Sequence, residues 1–303
     1  MVSSSVGQSV KFASNLPGQI TLLGLFGYPV EHSLSPAMHN AAIASLGLSQ
    51  SYIPFSVRPE DIGPAIRSIV TLGIRGVNLT IPHKVSVLPF LDEISPEAQM
   101  AGAVNTVLND NGRLKGFTTD GVGLSRSLSE AGQTLESRRV LLLGAGGAAR
   151  SAAFRLLKEN SKLTIVNRNV DRLNRLVSDL SAAYPLAEVK AIETHDIGGF
   201  RKALEETEIL INATSAGMFP DVDAQIPGPS NSLHPKLFTF DMIYNPRRTR
   251  LLEAAFAAGG TGVNGLPMLV YQGAESFRIW TGIEPPTHVM LEAAEKALSS
   301  GQA

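Results

Sequence analysis

The stretch Val140-Leu141-Leu142-Leu143-Gly144-Ala145-Gly146-Gly147-Ala148-Ala149 joins an apolar run to a glycine-rich turn. The apolar run predicts a buried strand, and residues 150–157 predict a helix directly after the turn. Such a turn is typical of the loop that binds the pyrophosphate of a dinucleotide at the start of a helix. Gly144 would allow the tight turn, Gly146 a close backbone approach, and Ala149 close helix–sheet packing. An ordinary strand–helix turn is the alternative.

Strands and helices alternate on both sides of this turn. Strands are predicted at 22–27, 52–57, 76–81, 102–108, 114–117, 138–143, 163–166, 208–213 and 237–243. Helices are predicted from Ser35-Pro36 to about residue 47, and at 62–72, 150–157, 170–181, 249–258, 267–280 and 288–298. Asp110-Asn111-Gly112 predicts a hairpin turn. The alternation indicates an α/β protein with a mostly parallel sheet covered on both faces.

The composition is that of a globular protein with an ample core. The chain has 303 residues, 44% apolar and 17% charged, with a formal net charge of −1 and no cysteine. The balanced charge gives no support for a nucleic-acid partner, and the absence of cysteine excludes disulfides and thiolate chemistry. No apolar run reaches the roughly 18 residues of a membrane span. Residues 1–19 lack the core of a secretory signal, so we expect a flexible tail and a cytoplasmic protein, with a short organelle-targeting remnant as the alternative.

A second informative stretch is Gly76-Val77-Asn78-Leu79-Thr80-Ile81-Pro82-His83-Lys84. In an extended strand its three apolar residues point inward, while Asn78 and Thr80 point to the opposite side. The proline suits the first turn of a helix, which would bring Lys84 beside this polar face. The alternative is an ordinary strand–helix junction with a solvated lysine.

The end of the strand that follows the glycine turn bears on the choice of nucleotide. An NAD-binding unit carries Asp or Glu near Val166-Asn167-Arg168, but the first carboxylate here is Asp171. Arg168 and Arg172 lie close together, with Arg150 on the preceding helix. A guanidinium suits a phosphate, so the pattern favours NADP over NAD. Solvated arginines are the alternative.

A hydride-transfer enzyme also needs an acid or base. The candidates outside the glycine turn are Lys84, Asp120, Tyr244 and the histidines at 32, 39, 83, 195, 234 and 288. No two histidines have the spacing of metal ligands, so no metal site is predicted. Asp120, in Thr119-Asp120-Gly121, lies where the first unit passes into the second, and an acid at such a junction faces a cleft. A helix cap is its alternative role.

Many segments, taken in order, resemble the shikimate dehydrogenase family from about residue 22 to residue 298. The matching segments are His32-Ser33-Leu34-Ser35-Pro36, 78–84, Ala103-Val104-Asn105-Thr106-Val107, 119–121, the glycine turn, Asn167-Arg168, Asn212-Ala213-Thr214-Ser215, Asp241-Met242-Ile243-Tyr244-Asn245-Pro246 and Gly265-Leu266-Pro267-Met268-Leu269-Val270-Tyr271-Gln272. The resemblance implies an N-terminal α/β substrate domain and a Rossmann-type doubly wound NADP-binding domain. It implies residues 1–120 plus 266–303 for the first domain and 121–265 for the second.

The resemblance also implies roles for individual residues. Lys84 and Asp120 would be the catalytic pair. The substrate carboxylate would be held by Ser33, Ser35, Thr80 and Tyr244, and its ring hydroxyls by Asn78, Asn105 and Gln272. The NADP-binding residues would be Gly144, Ala145, Gly146, Gly147, Ala148, Ala149, Asn167, Arg168, Asn169, Arg172, Thr214 and Gly265.

The implied activity is the reversible NADP-dependent reduction of 3-dehydroshikimate to shikimate, a small-molecule reaction without nucleic acid or membrane. Quinate or dual quinate/shikimate dehydrogenase activity is the nearest alternative, although Ser33, Ser35 and Thr80 favour shikimate. A non-catalytic nucleotide-binding sensor is the other. The sequence leaves monomer and homodimer open.

Three positions depart from the family pattern. Thr118 replaces a usual asparagine, Asn169 a usual threonine, and Gly273 a common alanine.

Overall fold

The protein folds as two six-stranded sheets that lie one after the other along the chain. The computed structural model describes residues 20–224 and 230–300. The expectation of a flexible N-terminal tail lies outside the described residues. Within the described ranges, every helix is too short or too polar to cross a membrane.

The first sheet combines parallel and antiparallel strands. Its strands are β1 (Thr21–Gly27), β2 (Gln50–Ser56), β3 (Gly76–Leu79), β4 (Glu93–Ile94), β5 (Thr106–Asp110) and β6 (Arg113–Phe117). The order is β2-β1-β3-β5-β6-β4, with β1 parallel to β2 and β3, and β5 antiparallel to β3 and β6. The predicted hairpin is confirmed: Asn111 and Gly112 have φ of 53° and 91°, as a tight hairpin turn requires.

The second sheet is parallel throughout. Its strands are β7 (Arg139–Leu143), β8 (Lys162–Asn167), β9 (Val189–Glu193), β10 (Ile209–Asn212), β11 (Phe238–Asp241) and β12 (Thr261–Asn264). They lie in the order β12-β11-β10-β7-β8-β9, so the order reverses between β7 and β10. Ligands of doubly wound sheets bind at this reversal, beyond the carboxyl ends of the strands. The glycine turn follows β7 and therefore lies at that point.

Eleven helices of the described ranges cover the two sheets. They are α1 (Ser35–Ser45), α2 (Ile62–Thr71), α3 (His83–Ser86), α4 (Pro96–Ala101), α5 (Asp120–Glu130), α6 (Gly147–Lys158), α7 (Val170–Ala183), α8 (Ile197–Glu206), α9 (Arg250–Ala257), α10 (Leu266–Thr281) and α11 (Thr287–Ser299). Phe277 and Trp280 of α10 and Met290 of α11 pack in one core cluster with Leu23 of β1 and Met38 of α1. The C-terminal helices therefore bury their apolar faces against the first sheet.

Several local expectations were wrong. Ile81 was expected inward but is 59% exposed, because β3 ends at Leu79 and the chain turns before it. In α2, Ile66 and Ile69 fill the inner face, and Val70 is 41% exposed.

Helix starts also differ from expectation. The pair Ser35-Pro36 predicts serine as the cap and proline as the first helical residue, but Ser35 is itself the first residue of α1 and Leu34 is the N-cap. Helix α6 starts at Gly147, so the end of the glycine turn is already helical.

Candidate active site

The side chains of Lys84 and Asp120 meet beside the first turn of α6, where Lys84 lies next to Gly147. Lys84 lies on α3 and Asp120 is the first residue of α5, with Thr119 as the N-cap. The Lys84 Nζ to Asp120 Oδ2 distance is 2.6 Å, and the side chains are 18% and 5% exposed. The positive end of the α5 dipole favours a carboxylate at this position. The alternative role of Asp120 as a helix cap is wrong, because Thr119 is the N-cap of α5.

The amide of Asn105 holds the second oxygen of Asp120. Its Nδ2 donates to Asp120 Oδ1 at 2.9 Å and to Thr119 Oγ1 at 2.9 Å, and it lies 3.2 Å from Gln272 Oε1. Its Oδ1 accepts from the backbone N–H of Thr119 at 2.8 Å. Both carboxylate oxygens of Asp120 are thus engaged, so the carboxylate is fixed in orientation before any ligand binds.

The side chain of Asn78 is held by the hydroxyls of Tyr52, Thr106 and Ser276. Asn78 Nδ2 lies 2.9 Å from Ser276 Oγ and 3.2 Å from Thr106 Oγ1, and it donates to the carbonyl of Asn105 at 3.1 Å. Its Oδ1 accepts from the Tyr52 hydroxyl at 2.9 Å. Sequence reasoning missed Ser276, although it follows Gln272 by four residues on α10 and therefore shares its face.

The four residues implied for the substrate carboxylate come from three segments. Ser33 Oγ accepts from the backbone N–H of Ser35 at 3.2 Å, so it also shapes the loop before α1. Burial raises the pKa of the Tyr244 hydroxyl, and a hydrogen bond from the Leu34 backbone opposes that rise. Tyr244, from the loop after β11, therefore reaches the serine loop. Thr80, the residue after β3, is half-buried.

The glycine turn has the geometry that a pyrophosphate loop needs. Gly144 has φ of +111°, which favours glycine, and a Cβ on Gly146 would meet nothing within 4 Å. Helix α6 has no side-chain cap, so the N–H groups of its first turn, which includes Gly147 and Ala148, have no cap acceptor. Ala149 is fully buried beneath it. Open space and free donors at a helix start fit a diphosphate.

The segment expected at the ribose is exposed. Asn167 Nδ2 donates to the carbonyl of Asn169 at 2.8 Å, and Asn169 Oδ1 accepts from the N–H of Arg172 at 2.9 Å, capping α7. Arg168 and Arg172 are exposed. The expected participation of Arg150 is wrong, because its guanidinium binds the carbonyl of Ala101 and the carboxylate of Asp179.

Two further residues of the implied cofactor set line the same sheet edge. Thr214 Oγ1 donates to Asn212 Oδ1 at 2.7 Å, and Thr214 Cγ2 lies beside Gly144. Gly265 precedes α10, and a Cβ there would be 2.0 Å from the carbonyl oxygen of Met242, so only glycine fits. Ala145, in the turn itself, is buried.

The three departures from the family pattern have local explanations. Thr118 Oγ1 lies 2.7 Å from Ser151 Oγ and links β6 to α6. Asn169 provides the α7 cap described above. A Cβ on Gly273 would be 2.3 Å from Met38 Cε, so glycine makes room for that buried methionine.

Comparisons with known proteins identify similar proteins over most of the chain. Family models match residues 25–107 (shikimate dehydrogenase substrate binding domain), 126–249 (shikimate / quinate 5-dehydrogenase) and 265–295 (shikimate 5'-dehydrogenase C-terminal domain). The shikimate dehydrogenase (NADP(+)) of Methanosarcina barkeri is 44% identical over 280 residues, covering 91% of this chain and 98% of that protein.

Solved structures resemble the whole fold. Shikimate 5-dehydrogenase of Thermus thermophilus, in complex with NADP(H) and shikimate, has a TM-score of 0.81 at 39% identity, covering 91% of this chain and 99% of that one. Quinate dehydrogenase of Corynebacterium glutamicum, in complex with NAD, has a TM-score of 0.82 at 30% identity, covering 92% of this chain and all of that one. From the three family models and these relatives, the chain belongs to the shikimate dehydrogenase family.

Proposed function

We propose that this chain catalyses the reversible NADP-dependent reduction of 3-dehydroshikimate to shikimate. The observation that carries the proposal is the partly buried Lys84–Asp120 pair, which lies against the first turn of α6: a Cβ on Gly147 would be 3.1 Å from Lys84 Cβ. A proton donor and a nucleotide loop in contact are what hydride transfer to a ketone requires.

In the proposed mechanism, Lys84 acts on the substrate oxygen. A dinucleotide held at the glycine turn would supply a hydride to C3 of the ketone. The electron pair of the carbonyl bond would then move to the substrate oxygen beside Lys84. The Lys84 ammonium stabilises that developing negative charge and donates the proton, which solvent then restores to the lysine. Asp120 orients the ammonium through the 2.6 Å contact. In shikimate oxidation the same groups act in reverse.

The remaining side chains are proposed to hold the substrate. Ser33, Ser35, Thr80 and Tyr244 bind the carboxylate through neutral hydroxyls. Asn78, Asn105 and Gln272 bind the ring hydroxyls. A site of many neutral donors and acceptors selects by matching each ligand hydroxyl, since an unmatched buried polar group is costly.

The cofactor is proposed to lie across the carboxyl edge of the second sheet. Residues 144–149 contact the pyrophosphate, Asn167 to Arg172 surround the ribose phosphate, and Thr214 and Gly265 line the path to the nicotinamide. The fit rests on the positive φ of Gly144, the open space at Gly146 and the exposed guanidinium groups of Arg168 and Arg172.

We further propose residues 1–120 plus 266–303 as the substrate domain and 121–265 as the NADP-binding domain. The packing of α10 and α11 against β1 and α1 supports this division. A cytoplasmic location and either a monomeric or a homodimeric state complete the proposal.

The deciding experiment is a spectrophotometric assay of NADPH formation with purified protein. Shikimate and quinate are each tested with NADP and with NAD. Rapid NADP reduction with shikimate alone supports the proposal. Faster turnover of quinate would favour the alternative that the likeness to quinate dehydrogenase suggests, and ligand binding without turnover would favour the sensor.

A further inference from the structure

One face of α6 docks on the segments that carry the proposed catalytic residues. Gly147, Arg150 and Ser151 are spaced three and four residues apart, so they share that face. Gly147 packs against the stem of Lys84, and Ser151 Oγ lies 2.7 Å from Thr118 Oγ1, two residues before Asp120. The helix that begins in the nucleotide loop therefore touches the catalytic cluster directly.

Arg150 forms the polar anchor of this face. Its Nε donates to the carbonyl of Ala101 at 2.5 Å, and its Nη2 to Asp179 Oδ2 at 2.6 Å. The guanidinium side chain is only 15% exposed. Ala101 is the last residue of α4, where the unsatisfied carbonyls and the helix dipole favour a cation. Asp179, on α7, fixes the other side of the guanidinium.

The residues that follow Ala101 connect the Arg150 contact to Asn105. Gly102 has φ of +59°, and a Cβ there would lie 3.0 Å from Arg150 Nη2. A glycine at this position therefore allows the turn after α4 and leaves room for the guanidinium of Arg150. Two residues further, the N–H of Val104 donates to the carbonyl of Lys84 at 2.8 Å. The next residue is Asn105, whose amide holds Asp120.

We propose that Arg150 is a positioning residue for hydride transfer: it fixes the nucleotide-binding helix against residues 101–105, and so sets Lys84, Asn105 and Asp120 relative to the bound nicotinamide. This inference rests on the proposed dehydrogenase function. A separate ion pair between α6 and α4 joins Lys158 to Glu97 at 3.5 Å. Both side chains are exposed and the pair is screened by solvent, so it does not replace the contact of Arg150 with the Ala101 carbonyl.

The first test is a single-turnover measurement on Arg150→Ala and Arg150→Lys. With enzyme in excess over NADP and with shikimate saturating, the first-order rate constant of NADPH formation is independent of how much protein is folded. We expect it to fall about tenfold or more in Arg150→Ala, because small misplacements of reacting groups have large effects. Arg150→Lys, which keeps a cation within reach of Ala101, should recover most of the rate. Arg175→Ala, an exposed arginine on α7, is the matched control and should match wild type.

The second test is hydrogen exchange of the protein without ligands. Arg150→Ala should speed exchange in peptides covering residues 84–86 and 101–108, while peptides of β7 stay protected as in wild type. An unchanged single-turnover rate constant, or exchange that rises equally in β7, would overturn the proposal and leave Arg150 a purely structural residue. If wild type itself does not reduce NADP with shikimate, the proposed function fails first, and the exchange result still reports on the anchor.

Discussion

The polar side chains around Lys84 are buried and bonded to one another, whereas those around Arg168 are exposed and point away from the protein core. Asp120 has both oxygens engaged by Lys84 and Asn105. Arg168 and Arg172, in contrast, lie at the surface at the end of β8. The proposed substrate side is thus organised before binding, while the ribose side is completed by the ligand. Preorganised polar groups matter where charge develops in the transition state. Exposed guanidinium groups, such as those of Arg168 and Arg172, are sufficient to select a phosphate.

The largest expected effect is in the buried cluster. Lys84→Ala should lower kcat by at least about a hundredfold with KM within a few fold, because a positioned acid typically contributes 10²–10⁴-fold. Asp120→Asn should have a comparable effect, measured by steady-state kinetics with shikimate and NADP. Since the two groups touch, the double variant should be far from additive. Near-normal kcat in Lys84→Ala would remove the proposed catalytic role.

The exposed arginines should affect binding and not the chemical step. Arg168→Ala removes a charge-assisted contact worth about 1.5–3 kcal/mol, so KM for NADP should rise roughly 10- to 100-fold while KM for NAD changes little. Steady-state kinetics with both cofactors measure the difference. An equal rise for NAD would mean that Arg168 does not contact the 2′-phosphate.

A histidine buried in the core of the first sheet's unit should make stability depend on pH. The imidazole of His39 is fully buried and stacks on the ring of Tyr52, with 4.3 Å between the ring centroids. Burial lowers the pKa of this imidazole to about 3. Because the unfolded chain binds this proton near pH 6.5 and the folded chain does not, its contribution is full above that pH and is lost as pH falls. The loss is about 1.4 kcal/mol per pH unit.

Urea unfolding of wild type and His39→Phe at pH 7 and pH 5 tests this dependence. The variant keeps a flat ring but has no titrating group, so its stability should fall less than that of wild type between the two pH values. Parallel losses in the two proteins would contradict a neutral buried imidazole.

The smallest effect is expected at the serine loop. Ser33→Ala should raise KM for shikimate a few fold with a smaller change in kcat, since one neutral hydrogen bond is worth about 1 kcal/mol. The bond from the Ser35 N–H to Ser33 Oγ means that part of this effect comes from the loop itself. Measuring Tm alongside the kinetics separates the two parts. A large fall in kcat with KM intact would exclude a role in binding alone.

The prediction of the fold class and the family from sequence is confirmed. Apolar runs and glycine turns are local signals, and they identified the strands of the second sheet except β9 and β12. Those two were missed because neither contains an apolar run: β9 is Val-Lys-Ala-Ile-Glu with no buried residue, and β12 has only four residues, one of them glycine. The short helix α4 and the amphipathic α8 also lacked a strong apolar run.

The sequence by itself determined which residue types were present for the chemistry: Lys84, Asp120, the amides and the glycine turn. Only the tertiary structure decided their partners. It turned Arg150 away from the expected ribose site and toward Ala101, and it joined Asn105 to Asp120 across 15 positions. Hydrogen bonds depend on distances of about 3 Å between atoms, and such distances between remote segments follow from the packing of sheets and helices, which no local pattern specifies.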